Sequence, residues 1–199
     1  MSAVALTGYP ITPSTEISEL YEAFRAERLQ RMGRAPVLLR AGGEHSAQSG
    51  ALGAALTGGK FVSNASSSQG ILYGLESHYV TVGKKVGGFV LQVAARVVSK
   101  HSLNVMAGHD DVYALLPSGY TILFGSNPQE AADLAAISYK VSAMSLIPVA
   151  NAMDGFATSP HAERGADAGA RAAARLRRPG QPHQVPDRGA GNRCCRFRL

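Results

Sequence analysis

Three places in this 199-residue sequence carry residue types that could do chemistry. Glu44 follows Gly42-Gly43 at an expected strand exit and precedes a run of small, mostly apolar residues. A carboxylate there gains from the positive end of the helix that follows. It reads either as an ordinary first-turn acid or as a partly buried carboxylate aimed at a ligand. Arg96 lies in Leu91-Gln92-Val93-Ala94-Ala95-Arg96-Val97-Val98, the one charge between Lys85 and Lys100. An arginine amid apolar residues either snorkels or pairs with an anion, which here is a carboxylate ligand or an internal acid such as Glu44 or Asp110. His109-Asp110-Asp111 has metal-ligand residue types, with His78 and His101 elsewhere. The spacings match no standard ligand pattern, and loop or helix-start acids account for Asp110 and Asp111 equally well.

Several familiar chemistries are excluded. No G-x-G-x-x-G follows the first expected strand, and neither G-x-x-x-x-G-K-[ST] nor G-x-S-x-G occurs. Cys194 and Cys195 are the only cysteines, so this chain holds no disulfide framework, four-cysteine zinc site or cysteine-held iron–sulfur cluster. No window reaches about 18 uninterrupted apolar residues, and Met1–Thr7 lacks a basic, apolar leader, so a cytoplasmic location is expected.

The formal charge of +6 is unevenly placed. Residues 1–159 hold 11 Lys and Arg against 11 Asp and Glu, whereas 160–199 hold 9 Arg against 3 acids. The sequence reads as a neutral domain, 1–159, followed by a basic, Arg/Ala/Gly/Pro-rich appendage, 160–199. The appendage has too few large apolar residues to offset the entropy of ordering, so a disordered tail is expected, with a short helix near 166–177. Its abrupt composition also fits out-of-frame translation of GC-rich coding sequence. A nucleic-acid role for the tail is the weaker reading, because the domain itself carries no excess charge.

Elements follow from the pattern. Strands are expected at Ala3–Thr7, Val37–Leu39, Phe61–Asn64, Phe89–Val93, Leu103–Met106, Tyr120–Phe124 and Ile147–Ala150. Tyr9-Pro10-Ile11-Thr12-Pro13 is too proline-rich for helix or central strand. Ser14 caps a helix in which Ile17, Leu20, Tyr21 and Phe24 share a face, ended by Gly33. Further helices are expected over 45–57, 71–82 and 110–116, and from Asn127-Pro128-Gln129-Glu130 onward. Apolar strands alternating with helices give an α/β fold: a three-layer α/β/α sandwich with a mostly parallel sheet. Ligands of such sheets bind beyond the strand carboxyl ends, so the loops of interest are 8–14, 41–46, 64–70, 94–99, 107–111 and 151–156.

In combination, these segments resemble a known family. Gly8-Tyr9-Pro10-Ile11-Thr12-Pro13-Ser14-Thr15-Glu16-Ile17 is similar to the opening motif of the 2-oxoacid:ferredoxin or flavodoxin oxidoreductases. The similarity continues through Gly43-Glu44-His45-Ser46-Ala47, Ser67-Ser68-Gln69-Gly70, Val93-Ala94-Ala95-Arg96, Gly108-His109-Asp110-Asp111-Val112, Gln129-Glu130-Ala131-Ala132-Asp133-Leu134 and Asp154-Gly155-Phe156-Ala157-Thr158-Ser159. It covers roughly residues 3–159 and resembles the domain that binds the pyrimidine end of thiamine diphosphate. Relative to the family, the sequence reads as lacking the helix before the first strand. The spacing from Glu44 to Ser68-Gln69 is one residue longer than the family's, and Pro160 stands where the family has histidine.

The resemblance implies roles for particular residues. Glu44 would hydrogen-bond the aminopyrimidine ring and favour its imino tautomer, whose nitrogen removes the thiazolium C2 proton. Thr12 and Arg96 would meet the 2-oxo acid, and Ser67, Ser68 and Gln69 would line the pyrimidine pocket. Mg²⁺ and the diphosphate would be held by a partner domain, and iron–sulfur clusters and coenzyme A would likewise come only from partner domains. The implied activity is oxidative decarboxylation of a 2-oxo acid such as pyruvate to acyl-CoA, with electrons passing to ferredoxin or flavodoxin. This chain would contribute half of the thiamine site and be inactive alone. The alternative is a non-functional truncated gene product.

Overall fold

A computed structural model describes residues 5–32, 36–58 and 61–158. Six parallel strands form one sheet in the order β2-β1-β3-β4-β6-β5. They are β1 (Ala5–Gly8), β2 (Val37–Arg40), β3 (Val62–Ser66), β4 (Phe89–Ala95), β5 (Thr121–Gly125) and β6 (Val149–Asp154). Helices α1 (Thr15–Met32), α2 (Glu44–Leu56), α3 (Ser68–Tyr73), α4 (Leu75–Gly83), α5 (Asp110–Leu115), α6 (Pro128–Ser145) and α7 (Gly155–Thr158) connect or follow them. The expected Gly33 stop, the first residues of the Ala3–Thr7 strand and the Arg-rich segment 160–199 lie outside the described residues.

The strands are apolar on both sides because both faces are covered. All seven residues of β4 are buried. On one face Val62, Phe89, Leu91, Val93, Ala95, Ala150 and Ala152 pack with Ala51 and Ala55 of α2, Ile71 of α3 and Val112 and Leu115 of α5. On the other, Val90 packs with Tyr139 of α6 and with Tyr21 and Phe61. The buried alanines of α2, Ala47, Ala51 and Ala55, and Gly50, where a Cβ would lie 2.9 Å from Leu39 Cδ2, let the helix lie close to the sheet, whereas Gly53 faces open space. Residues of one register row share a face, so Asn64 and Ser66 of β3 stand with Leu91 and Val93, their partners on β4.

One pair of neighbouring strands, β1 and β3, has connections leaving in opposite directions, β1 toward β2 and β3 toward β4. The chain leaves β1 for β2 and returns across the sheet to β3, and it leaves β4 for β5 and returns to β6. A crevice opens at such a switch point beyond the strand carboxyl ends. The loops after β1, β3, β4 and β6 all reach that edge.

Four expectations are corrected. Leu103–Met106 is not a strand: the segment is irregular, with Leu103 80% and Met106 66% exposed. Its short apolar run imitates a buried strand but has no neighbour to pair with. The helix expected over 71–82 is two helices, α3 and α4, which meet at Gly74. Ser14 precedes α1, but its hydroxyl donates back to Ile11 O at 2.8 Å and so tightens the loop. Residues 151–154, expected in a loop, are the second half of β6, with Asn151 buried and its amide donating to Gln92 Oε1 at 2.9 Å. By contrast, the start of α6 follows its sequence signature: Asn127 Oδ1 accepts from Glu130 N at 2.8 Å, with Pro128 in the first turn.

Candidate active site

Glu44 begins α2, and its side chain is buried, with the residue only 6% exposed. Its position is set one turn further along the helix. Gln48 accepts from Asn64 Nδ2 at 2.8 Å and donates to Thr81 Oγ1 at 2.9 Å, all three side chains being buried. This polar bridge ties α2 to β3, two residues before Ser66. The carboxyl of Glu44 and the hydroxyl of Ser66 then converge on Gly70 of α3. A Cβ there would lie 2.5 Å from Ser66 Oγ and 2.6 Å from Glu44 Cδ. A side chain at position 70 would force the Glu44 carboxyl or the Ser66 hydroxyl to shift, so it is this approach and not the backbone angles that favours glycine there.

Neither carboxylate oxygen of Glu44 has a well-formed hydrogen bond among the described residues, and neither does Ser66 Oγ. Burial raises the Glu44 carboxyl from its ordinary 4.5 to about 7, and the nearby Ser66 hydroxyl only partly offsets this. The amino-terminal position in α2 favours the charged form but does not prevail over desolvation. The site is therefore a buried carboxyl near its midpoint at neutral pH, with both oxygens available to a donor.

Arg96 follows β4 and is 5% exposed. Its Nη1 donates to Thr12 O at 2.7 Å and its Nη2 reaches Gln69 Oε1 at 3.4 Å, while Nε has no partner. The guanidinium thus touches neutral oxygens and makes no ion pair among the described residues, so neither Glu44 nor Asp110 neutralises it. A buried cation in that state lacks an anion. Thr12 supplies its carbonyl to Arg96, and the residue is itself exposed. Pro13 beside it packs on Gly155, where a Cβ would meet Pro13 Cγ at 2.8 Å and Ala95 O at 2.6 Å. The loops after β1, β4 and β6 are in contact at this point.

Gln69 and Gly70 are consecutive residues of α3 that join the two halves of the site. Gln69 touches Arg96, and Gly70 makes room for Glu44. Ser67 and Ser68 are fully buried and committed to the scaffold. Ser67 Oγ donates to Ala94 O at 2.6 Å. Ser68 Oγ lies 2.7 Å from Val97 O and 2.5 Å from Gln69 Oε1, one of which takes its single proton.

The His109-Asp110-Asp111 run disperses. His109 Nε2 lies 2.8 Å from Asp154 Oδ1, and its ring packs edge-on against Phe124. Asp110 Oδ2 accepts from Val98 N at 3.2 Å and is 3.7 Å from Lys100 Nζ. Asp111 turns inward and accepts from the backbone of Ser68 and Arg96. Sequence reasoning missed Ser66, Gly70 and Asp111 as members of the site. The Ser66-Ser67-Ser68-Gln69-Gly70 run was the available signal for the first two. For Asp111, a first-turn acid looks the same whether it faces water or the interior.

No helix of the described residues is long and apolar enough to cross a membrane. In fold, the chain is similar to a 2-oxoglutarate:ferredoxin oxidoreductase from Magnetococcus marinus, with a TM-score of 0.59 and 20% identity over 76% of this chain and 26% of that one. In sequence, it is 37% identical over 152 residues to a probable pyruvate-flavodoxin oxidoreductase of Escherichia coli, covering 76% of this chain and 13% of the relative. It is 32% identical over 151 residues to the pyruvate-flavodoxin oxidoreductase of Klebsiella pneumoniae, with the same coverage of 76% and 13%. The pyruvate:ferredoxin oxidoreductase of Moorella thermoacetica is 29% identical over 164 residues, 82% of this chain and 14% of that relative. The chain thus spans about an eighth of the length of these relatives. The profile of the family described as pyruvate flavodoxin/ferredoxin oxidoreductase, thiamine diphosphate-binding, matches residues 1–181, past Ser159 where the motifs quoted above stop. By that match over most of its length, the chain belongs to the pyruvate flavodoxin/ferredoxin oxidoreductase family, in its thiamine diphosphate-binding domain.

Proposed function

We propose that this chain supplies the pyrimidine side of a thiamine diphosphate site in a cytoplasmic enzyme that oxidises a 2-oxo acid such as pyruvate to acyl-CoA and passes electrons to ferredoxin or flavodoxin. One observation carries the reading: among the described residues, the buried Glu44 carboxyl has no well-formed bond to either oxygen. The site suits a heteroaromatic ring that offers N–H donors. Such a donor would satisfy an oxygen that costs free energy when left alone, and the low-dielectric surroundings would make the bond strong. When bound, thiamine diphosphate supplies the carbanion chemistry of decarboxylation.

The chain's own residues divide the remaining work. Glu44 accepts a hydrogen bond from the ring and, with its carboxyl near 7, can hold or release a proton there at neutral pH. Gln69 lines the pyrimidine pocket, and the fully buried Ser67 and Ser68 hold that wall from behind. Arg96 presents Nε, and Nη2 beyond its long bond to Gln69, to a substrate carboxylate, a planar pair suited to two parallel bonds. Thr12, exposed on the loop after β1, meets the 2-oxo group. The diphosphate, its Mg²⁺, the iron–sulfur clusters and coenzyme A are assigned to other domains or subunits. This division is supported by the chain spanning 13% of its pyruvate-flavodoxin relatives.

The test is reconstitution. The 199-residue chain, mixed with a polypeptide carrying the rest of a relative, should reduce a viologen dye when given pyruvate, coenzyme A, Mg²⁺ and thiamine diphosphate. The chain alone should not. Pyruvate turnover by the chain alone contradicts the division of labour. Full activity of the mixture with Glu44→Gln contradicts the role of Glu44, since losing a positioned proton-transfer group costs roughly 100-fold or more.

A further inference from the structure

Asp111 is fully buried in the first turn of α5 and makes no ion pair among the described residues. Its neighbour Asp110 is half-buried, bonds one backbone N–H and lies near Lys100, as a helix-start acid would. Asp111 does something different. Its Oδ2 accepts from Ser68 N at 2.7 Å and from Arg96 N at 3.1 Å, and its Oδ1 accepts from Val112 N at 2.8 Å. Two of these donors are distant in sequence: Ser68 opens α3 and Arg96 lies in the loop after β4, 43 and 15 residues away along the chain. Burial is costly to a carboxylate and holds the Asp111 carboxyl above its usual range, and these N–H groups offset part of that cost.

The bonds also close a ring. Ser68 has a φ of 46°, a left-handed conformation unfavourable for a residue with a Cβ. In that conformation its N–H faces Asp111 and its hydroxyl reaches Val97 O on the loop after β4. The next residue, Gln69, accepts from Arg96 Nη2, and the backbone of Arg96 returns to Asp111. One carboxylate therefore fixes both the backbone that carries the guanidinium and the backbone that carries its amide neighbour.

We infer that Asp111 is a positioning residue that locks the start of α3 to the loop after β4, so that Arg96 and Gln69 meet an anionic ligand as one rigid unit. The ligand half of this inference rests on the reading of Arg96 given above. The lock itself rests on the bonds of Asp111 alone.

The test uses the full chain, followed by amide hydrogen exchange, with pyruvate as the probe read on the Arg96 Nε–H signal. In the native chain, Ser68 and Arg96 amides should show matching protection after correction for intrinsic rates. Asp111→Asn keeps the shape but turns an amide toward the donors. It should speed both amides about tenfold or more while Val149 and Ala150 of β6 stay unchanged. It should also raise the pyruvate concentration needed to shift Arg96 by about tenfold. In Arg96→Lys, where the fork is already lost, adding Asp111→Asn should cause no further loss of pyruvate binding; additive losses would mean a merely structural role. Unchanged exchange at Ser68 and Arg96 in a folded Asp111→Asn chain overturns the lock. Should that variant not fold, the native chain decides, because protection differing more than about tenfold between the two amides overturns the lock and matching protection upholds it. No pyruvate-dependent shift in the native chain overturns the ligand half and the reading it rests on, while matched exchange still upholds the lock.

Discussion

Gly70 and Glu44 share one space: a Cβ on Gly70 would lie 2.6 Å from Glu44 Cδ, nearer still to Oε1, and 2.5 Å from Ser66 Oγ. Gly70→Ala sets two effects against each other. Alanine in place of glycine gains up to about 1 kcal/mol in a helix. Crowding a packed site costs about 1–3 kcal/mol, and here the displaced group is a buried carboxyl. Crowding should prevail, with a net loss of about 1–2 kcal/mol in urea unfolding of the chain. The assembled enzyme should lose activity much as Glu44→Gln does. A fully active Gly70→Ala enzyme would mean that Glu44 does not work from this position.

Stability should report the burial of Glu44 without any cofactor. In the folded chain the carboxyl keeps its proton up to about pH 7, whereas in the unfolded chain it releases it near 4.5. Between those values the folded state binds more protons, so the contribution of Glu44 declines as pH rises and is lowest above pH 7. The rise from 4.5 to about 7 corresponds to at most about 3 kcal/mol. Glu44→Gln should therefore stabilise the chain by about 1–3 kcal/mol at pH 8 and have no such effect below about pH 4.5. Thermal melts across that range check the sign. A variant less stable than the native chain at pH 8 would show that the carboxyl has a strong partner after all.

What the sequence reveals about this fold depends on whether local pattern and tertiary need coincide. They coincide at α6, where Asn127-Pro128 starts the helix by local chemistry, and in β4, whose continuous apolar run requires cover on both faces. They diverge at Leu103–Met106, where four residues look like a strand but no pairing edge receives them. They diverge again in β6: Asn151 looks like a loop residue and is instead a buried strand residue whose amide bonds Gln92. At the site, Glu44 and Arg96 were legible as charges in apolar settings. Their alternatives were resolved only by contacts distant in sequence: Arg96 meets Thr12, 84 residues away, and finds no acid among the described residues. Gly70 and Asp111 were not legible as site residues, because their importance lies in which atom stands opposite.

His78 should give the chain its acid sensitivity. It is buried, its Nδ1 lies 3.3 Å from Tyr120 OH, and burial lowers its ring from an ordinary 6.5 to about 3. The unfolded chain takes up that proton below 6.5 and the folded chain does not, so the stability due to His78 is complete above 6.5 and falls as pH drops toward 3. At pH 4.5 the loss is about 2–3 kcal/mol. This slope opposes that of Glu44, and the two windows overlap between 4.5 and 6.5. His78→Asn should cost about 1–2 kcal/mol at pH 8, through the lost ring packing and a weakened bond to Tyr120, yet flatten the acid side of the profile. Urea melts of both single variants should show slopes of opposite sign relative to the native chain. Equal slopes would mean that His78 is not held neutral.

Arg96 offers the sharpest separation of structure from ligand binding. Among the described residues, its buried guanidinium has an unpartnered Nε and bonds the oxygens of Thr12 and Gln69 alone. Arg96→Met loses the 2.7 Å bond to Thr12 O but also removes a buried charge with no counter-ion. Exchanges of buried charge for a well-packed apolar side chain are often close to neutral, so the isolated chain should change stability by less than about 1 kcal/mol. The assembled enzyme should respond very differently. Charge-assisted bonds to a carboxylate contribute about 1.5–3 kcal/mol each, so losing two should raise KM for pyruvate by roughly 100-fold or more. Arg96→Lys keeps the charge without the fork and should fall between the native enzyme and Arg96→Met. Because decarboxylation breaks the bond to this same carboxylate, kcat should change along with KM. The opposite pattern, a chain destabilised by several kcal/mol with an unchanged KM, would make Arg96 a tether for the loop after β1 and place the substrate carboxylate elsewhere.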